Sequence, residues 1–526
     1  MMADSRADVV IVGAGAAGNL YAAKLSEAGK SVVVLEAGPA WKTDDLVSSL
    51  IWSRRLRWGG PPVESTGGHP FGVGFNSGWG FGGAALHHYG TWPRLMPSDF
   101  TMKSDHGKGL DWPIGYNDLR PFYDRIQEEV GVSGDAKAEV WRPQGADYPL
   151  PPLEHFAQSR LIAKGFAALG MKTAPSPMAI LSRDYKGRPA CVYDGWCDAG
   201  CPIGALANPL VTYHPVAKKH GARFVAHAYV TRLIQGKTAS HVAGVEYIDA
   251  NGETQRQLGD MVILAASTVF NPTLLLNSRG PGWERGAANR SGLVGHYFMT
   301  HSIAALYGFF DEQETENYLG VTGAQQTNQD HYGKSSLGGA AFGSLQWQIA
   351  PTMKPNDLLG VAMSRADLFG KPLQDFMNRA VHHLAVMFGF GEGLPVHDNR
   401  VELTSRKGPG GTSLPRVVHQ FAPASVAVWE QAAKLGLKVM TAAGAADSWS
   451  GPMASAHMMG GTIMGIDGET SVADGFGRSH DIGNLVIAGP GLFPTAGAMN
   501  PNFTNHALSL RNVGHLIDHW GDYGAH

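Results

Sequence analysis

The apolar, β-branched run Ala7-Asp8-Val9-Val10-Ile11-Val12 opens directly onto Gly13-Ala14-Gly15-Ala16-Ala17-Gly18. After the glycines, Leu20, Ala23, Leu25 and Ala28 recur at helical spacing until Gly29, and Ser31–Leu35 is a second buried strand that ends in Glu36. This is a complete βαβ unit. In such a unit Gly13 permits the tight turn, Gly15 lets a pyrophosphate approach the backbone, and Gly18 lets helix and strand pack closely. The helix start then offers unpaired N–H groups to phosphate, and Glu36 is placed to accept from a ribose hydroxyl.

A second glycine-rich stretch, Trp79-Gly80-Phe81-Gly82-Gly83-Ala84-Ala85-Leu86-His87-His88, lies well downstream. Two separated glycine loops suit a long cofactor held at both ends, as FAD would be. Of the 22 histidines, most are expected to be structural, and His87 and His88 are open to that reading.

Composition narrows the function. The chain has 526 residues, 42 basic against 45 acidic, and a formal charge of −3. No long run of Lys or Arg supplies the field that phosphate-backbone binding needs, so nucleic acid is not an expected partner. Sixty-nine glycines and 31 prolines are about a fifth of the chain, below the roughly 25–30% typical of low-complexity disorder. No apolar stretch approaches the roughly 18 residues that cross a bilayer. Met1-Met2-Ala3-Asp4-Ser5-Arg6 lacks a basic region followed by an apolar core, so any export is expected to depend on something outside this chain.

Further along, an amphipathic segment runs from Tyr116 to Val130. Ala222–Val225, Tyr229–Leu233 and Val242–Tyr247 read as short strands, Asp260–Ala266 as a buried strand, and Thr273–Asn277 as the start of a helix after Pro272. Residues 302–449 alternate apolar and polar in places and read as mainly antiparallel sheet. At the C-terminal end, strand Asn484–Gly489 precedes Asn500-Pro501-Asn502-Phe503-Thr504, after which Ala507, Leu508, Leu510, Val513 and Leu516 mark a helix. Its N-terminus is a second place where backbone amides meet negative charge.

Cys191, Cys197 and Cys201 are the chain's three cysteines. An odd, clustered set points to metal or redox chemistry over a disulfide framework. Three soft thiolates suit an iron-sulfur cluster or zinc, the latter with Asp194 or Asp198 as a fourth ligand, and spacing alone does not choose.

Taken in order, Gly13-x-Gly15-x-x-Gly18 with Glu36, the Gly82-Gly83 loop, Asp111-Trp112-Pro113, Ile263-Leu264-Ala265-Ala266 with Asn271-Pro272, Val294-Gly295-His296, His457 before Gly461-Thr462, and Asn500-Pro501 resemble the glucose-methanol-choline oxidoreductases. These are FAD-dependent alcohol oxidases and dehydrogenases. The resemblance implies an α/β plus β fold, with a Rossmann-like FAD-binding domain (1–100, 195–295, 455–526) interleaved with a mainly antiparallel-sheet substrate-binding domain (101–194, 296–454). It implies His457 as the base that takes the hydroxyl proton, with Asn500 as the second member of the pair, able to hydrogen-bond the same hydroxyl but not to act as the base. FAD contacts are expected from Gly13, Gly15, Gly18, Glu36, Gly82, Gly83, His87, Val230, Asn500, Pro501 and Thr504. The helix starting around Asn502-Phe503-Thr504 is expected to face the flavin near N1.

The cysteine loop, 185–206, resembles the large subunits of bacterial FAD-dependent glucose, fructose, sorbitol and gluconate dehydrogenases. By that resemblance Cys191, Cys197 and Cys201-Pro202-Ile203-Gly204-Ala205 hold a 3Fe-4S cluster that drains the flavin. The same branch implies a sugar or polyol substrate, a cytochrome c-type acceptor subunit, a small export-chaperone subunit and work at the periplasmic face, with cytoplasmic residence as the alternative. Two other readings are an oxidase that reduces oxygen to peroxide and a noncatalytic electron-transfer flavoprotein. The chain departs from many relatives in Val192 beside the first cysteine, in Thr300-His301, and in Ala488-Gly489-Pro490 after the late strand.

Overall fold

A computed structural model describes residues 6–524; Met1–Ser5, part of the stretch read above for a leader, lie outside the described residues. The βαβ unit forms as its pattern requires. Strand Arg6–Val12 runs into helix Ala16–Glu27 and returns as strand Val32–Leu35, the two strands pairing in parallel. Arg223–Val225 extends the sheet beyond Val32–Leu35, and Thr254–Leu264 pairs with the other edge of Arg6–Val12. The strand Thr254–Leu264 is long enough for its other edge to serve two partners. Its first half pairs with Val242–Ile248, which forms an antiparallel hairpin with Tyr229–Gln235, and its last residues pair with Leu485–Ile487. Both faces of this sheet are covered, which is why its central strands are unbroken runs of buried Val, Ile and Leu.

The second sheet is antiparallel and centres on Met299–Phe309, with Leu384–Gly391, Leu345–Ile349, Gln326–Asn328 and Ala174–Pro175 following in order on one side. On the other side two short strands share one edge, Asp447–Ser450 against the end of Met299–Phe309 and Ala454–Met459 against its start. Side chains alternate as the pleat dictates. Ala304, Leu306, Ala385 and Met387 enter one core, whereas Ala305, Tyr307, Phe309, Leu384 and Val386 enter another.

Two expectations need correction. Residues 302–449 hold three helices besides the strands: Pro355–Ala362, Lys371–His383 and the 20-residue Pro423–Ala442. The last buries Ser425, Val428, Ala432, Gly436 and Val439, a helical stripe of small residues whose contrast with their neighbours is too low to stand out in sequence. The other helix begins at Ser267 and not at Thr273, with Pro272 inside it. Asn271 compensates for the irregular start, its Oδ1 accepting from Ala266 N at 2.8 Å and its amide donating to the Leu264 and Ala488 carbonyls. The late helix runs Pro501–Asp518, its proline at the first helical position, where a missing N–H costs nothing. No helix among the described residues is long and apolar enough to cross a membrane.

Candidate active site

A cavity of about 580 Å³ is walled by the C-terminal ends of the first sheet's parallel strands on one side and by Ile303, Ala305, Gln348, Phe388 and Phe390 of the second sheet on the other. At its first-sheet end the glycines take different duties. Gly13 has φ +101°, and a Cβ there would lie 2.5 Å from Ala265 O; one on Gly18 would lie 2.0 Å from Gly13 O. Both are packing glycines, and Gly18 does not reach the cavity wall. Gly15 does, and an added Cβ there meets nothing within 4 Å. The space reserved at Gly15 therefore belongs to something other than protein.

The second glycine loop sits directly on the first. Gly82 N donates to Ala14 O at 2.8 Å, while Ala14 N donates to Glu36 Oε2 at 2.9 Å. Glu36 Oε1 accepts from Gly38 N at 2.9 Å and from Gly80 N at 3.1 Å. Backbone amides thus already hold both oxygens of the carboxylate. Burial pushes the Glu36 pKa up and these amides oppose it. Gly83, Glu36, Val230 and Pro501 line the cavity; Gly82 does not, since its Cβ direction is filled by Leu86.

His87 and His88 are on the wall, each with its Nε2 at a backbone carbonyl. His87 Nε2 meets Ser77 O at 3.3 Å, His88 Nε2 meets Ala207 O at 2.8 Å, and burial holds both pKa values down to about 4. Thr504 is also off the cavity. Its hydroxyl pairs with Tyr123 Oη at 2.6 Å, and the helix start offers the cavity Pro501, Asn502 and Asn505 instead. The Ser77 and Ser267 hydroxyls, buried on the wall, have no protein partner.

At the second-sheet end stand His457 and Asn500, brought to one point from strand Ala454–Met459 and from the residue that precedes the late helix. The register of Ala454–Met459 on Met299–Phe309 shifts between Ala456 and Met459, and His457, inside that bulge, has φ +66°. Such a left-handed backbone is uncommon outside glycine and occurs where surrounding structure enforces it. Here the bulge turns the imidazole into the cavity, where Phe390 stacks on it at 5.6 Å and Asn76 Oδ1 accepts from its backbone N–H.

Sequence reasoning named His301 only as a neighbour of a departure and missed Gln348 altogether. His301 is fully buried behind His457, its Nδ1 2.9 Å from His457 Nδ1 and its Nε2 3.3 Å from Ala496 O. Asn500 Nδ2 is 3.2 Å from His457 Nε2, and Asn500 Oδ1 accepts from Gln348 Nε2 at 2.5 Å. A carbonyl can only accept, so the proton of His301 sits on Nε2 and its Nδ1 is a lone pair. His457 must then carry its proton on Nδ1, leaving Nε2 as a lone pair that Asn500 meets with an N–H. Burial first and His301 second hold the His457 pKa well below the usual imidazole range, so that nitrogen is unprotonated at neutral pH.

The cysteines gather in a small apolar cluster with Leu206, Met178 and Val321. Cys191 and Cys201 sulfurs each accept a backbone N–H, from Tyr193 and Leu206, at 3.3 Å. Burial pushes the Cys191 thiol up to about 11, and raises Cys197 and Cys201 as well. Among the described residues no three His, Cys, Asp or Glu side chains are arranged to hold a single metal ion. Asp194 accepts from Ser48 Oγ at 2.8 Å and Asp198 faces Lys354 at 3.5 Å. The loop backs onto the cavity through Thr322, a wall residue whose hydroxyl donates to Gly195 O and accepts from Cys197 N.

Residues 8–303 and 395–509 match the N- and C-terminal sequence models of GMC oxidoreductase. The chain belongs to the GMC oxidoreductase family. It is 29% identical over 543 residues to 2-methyl-1,2-propanediol dehydrogenase of Mycolicibacterium austroafricanum, covering 98% of this chain and 96% of that one. It is 28% identical over 560 residues to the fructose dehydrogenase large subunit of Gluconobacter japonicus, covering 97% and 98%. A solved formate oxidase of Aspergillus oryzae, studied for its FAD modification, shares the fold at 15% identity, with a TM-score of 0.71 over 99% of this chain and 100% of that one. A GMC oxidoreductase is a flavoprotein, and the residues present fit FAD. The open space at Gly15, the orphaned Ser77 and Ser267 hydroxyls and the amide end of helix Pro501–Asp518 all face one elongated cavity.

Proposed function

We propose that the chain is an FAD-dependent dehydrogenase that oxidises a hydroxyl of a sugar, glycoside or sugar alcohol. The observation that carries this reading is the His457 Nε2 lone pair, fixed in direction and exposed to the same cavity that the glycine loops line. FAD, when bound, supplies the hydride acceptor. His457 Nε2 takes the hydroxyl proton, a role suited to a neutral imidazole. The Asn500 amide holds that lone pair in the resting site and donates to the hydroxyl oxygen once substrate arrives; it carries no basic nitrogen and is not the proton acceptor. Asn76 and Phe390 keep the imidazole aimed, and Ile303, Ala305, Phe388 and Phe390 give the facing wall an apolar surface.

In this reading Cys191, Cys197 and Cys201 would hold a 3Fe-4S cluster, which would supply the electron route from the flavin to a cytochrome c-type partner. Two features support it. The Cys191 and Cys201 sulfurs accept backbone N–H groups, bonds that oppose the rise burial imposes on these thiols and would stabilise them as thiolate ligands. A three-iron cluster also asks one thiolate of each iron, so it does not require three donors converging on one ion. The similarity to a dehydrogenase large subunit supports work beside partner subunits, and we extend it to a periplasmic location reached with an exported partner. The deciding experiment is anaerobic purification with its partner genes, iron and sulfide analysis, and a screen of glucose, fructose, polyols, gluconate and glycosides with an artificial acceptor. Absent iron and sulfide, or stoichiometric peroxide in air, overturns the cluster route in favour of an oxidase. Fractionation that leaves the protein cytoplasmic beside its co-expressed partners overturns the location.

A further inference from the structure

We propose that His301 is a positioning residue that locks His457 in the tautomer able to act as a base, with the Ala496 carbonyl as the fixed end of the lock. This rests on the reading of His457 as the proton acceptor and adds the device that keeps it in that state. His301 does not line the cavity and touches neither substrate nor cofactor space. It shares a face of strand Met299–Phe309 with Ile303, Ala305 and Tyr307, which do line it, because alternate residues of a strand point the same way.

The polarity runs in one direction only. Ala496 O accepts from His301 Nε2, His301 Nδ1 accepts from His457 Nδ1, and His457 Nε2 is left for Asn500 and for substrate. Reversing either ring would set a lone pair against a carbonyl or two N–H groups against each other, and the fully buried His301 has no access to solvent to compensate. An isolated imidazole has no such constraint and places its proton on either nitrogen.

The fixed end is itself built in from both sides. Two residues after Ala496, Ala498 N donates to Tyr332 Oη at 3.0 Å, and that hydroxyl donates to Asp99 Oδ2 at 2.8 Å. Lys334, fully buried, donates to Asp99 Oδ1 at 2.6 Å and to Glu392 Oε2 at 2.8 Å. One residue before Ala496, Thr495 Oγ1 donates to Asp99 O at 2.7 Å and accepts from Trp112 Nε1 at 2.7 Å. Asp99 therefore holds the chain on both sides of the carbonyl that sets the tautomer. A buried charged network with no part in the chemistry acquires a purpose: it keeps one backbone oxygen from moving.

The test is a nitrogen-15 spectrum of the histidine-labelled holoenzyme, with His457 signals identified by their loss in His457→Asn. In the native protein His457 is expected to carry its proton on Nδ1 and a lone pair on Nε2, and His301 the reverse. His301→Gln offers either a donor or an acceptor to His457 Nδ1, so the His457 signals should become those of mixed tautomers. The rate of flavin reduction by substrate should then fall roughly tenfold to hundredfold, within the worth of a correctly protonated base, with FAD content and melting temperature close to native. A native His457 protonated on Nε2 overturns the proposal, and that measurement stands even if His301→Gln does not fold. A His301→Gln protein with the native tautomer pattern, or with a mixed pattern and the native reduction rate, overturns it too. If no alcohol reduces the native flavin, the proposed function fails while the nitrogen spectrum still decides the tautomer.

Discussion

Replacing His457 separates its chemical role from its backbone role, because the residue sits at φ +66°. His457→Ala removes the proton acceptor and also places alanine in a backbone region it tolerates poorly. His457→Asn removes the acceptor alone, since asparagine is among the residues most at ease there. Loss of a positioned general base lowers the rate by on the order of 10²–10⁴, or about 3–5 kcal/mol of transition-state stabilisation. Both variants should show that loss in anaerobic stopped-flow flavin reduction. They should differ in stability. Alanine leaves the Asn500 amide and His301 Nδ1 without partners, at about 1–3 kcal/mol for each buried group, in addition to the backbone strain. Asparagine can satisfy one or both. The expected result is therefore two equally slow enzymes, of which only His457→Ala melts clearly below the native protein. Reduction of bound flavin by His457→Asn at a rate within threefold or so of native refutes the assignment of the base.

Gly15→Ala should fold normally and lose FAD affinity, read from flavin absorbance after gel filtration, whereas Gly18→Ala should fail to fold, its Cβ falling 2.0 Å from Gly13 O. Asn500→Ala should slow flavin reduction by roughly tenfold, the worth of about one hydrogen bond, and so less than either His457 variant. Acid should unfold the protein early. His87, His88, His301, His419 and His506 are held by burial at about 4, below the ordinary 6.5. Between these values the unfolded chain binds protons that the folded one refuses, so stability is full above pH 6.5 and falls as pH drops towards 4. Each histidine contributes on the order of 3 kcal/mol to that slope, and a stability that stays flat in denaturant titrations from pH 7 to 4.5 contradicts it.

The βαβ unit, the Tyr116–Val130 helix, the hairpin strands and the late helix were legible in the sequence because turn chemistry and side-chain periodicity are local properties. They depend on residues within a turn or a strand of one another. The family was legible too, through ordered motifs, and with it His457 and Asn500 as an expected pair. Local pattern failed where small residues blurred the stripe, as in Pro423–Ala442, and where a side chain repaired an irregular helix start, as Asn271 does before Pro272.

Only the tertiary structure decided which atoms of the site meet. His301 and His457 are 156 residues apart, and they touch because the strand register slips by one bulge where Ala454–Met459 crosses Met299–Phe309. Gln348, Ala496 and the Asp99–Tyr332–Lys334 network stand in no motif, since what each supplies is a donor or an acceptor at a place that chain folding alone defines. Thr504 shows the converse. Its position in the sequence pointed at the cofactor, but the rotation of helix Pro501–Asp518 turned its hydroxyl to Tyr123 and gave the cavity Asn502 and Asn505. Sequence specifies which elements form because that free energy is local; the direction of a lone pair depends on register, bulges and packing between elements, which exist only once the chain has closed on itself.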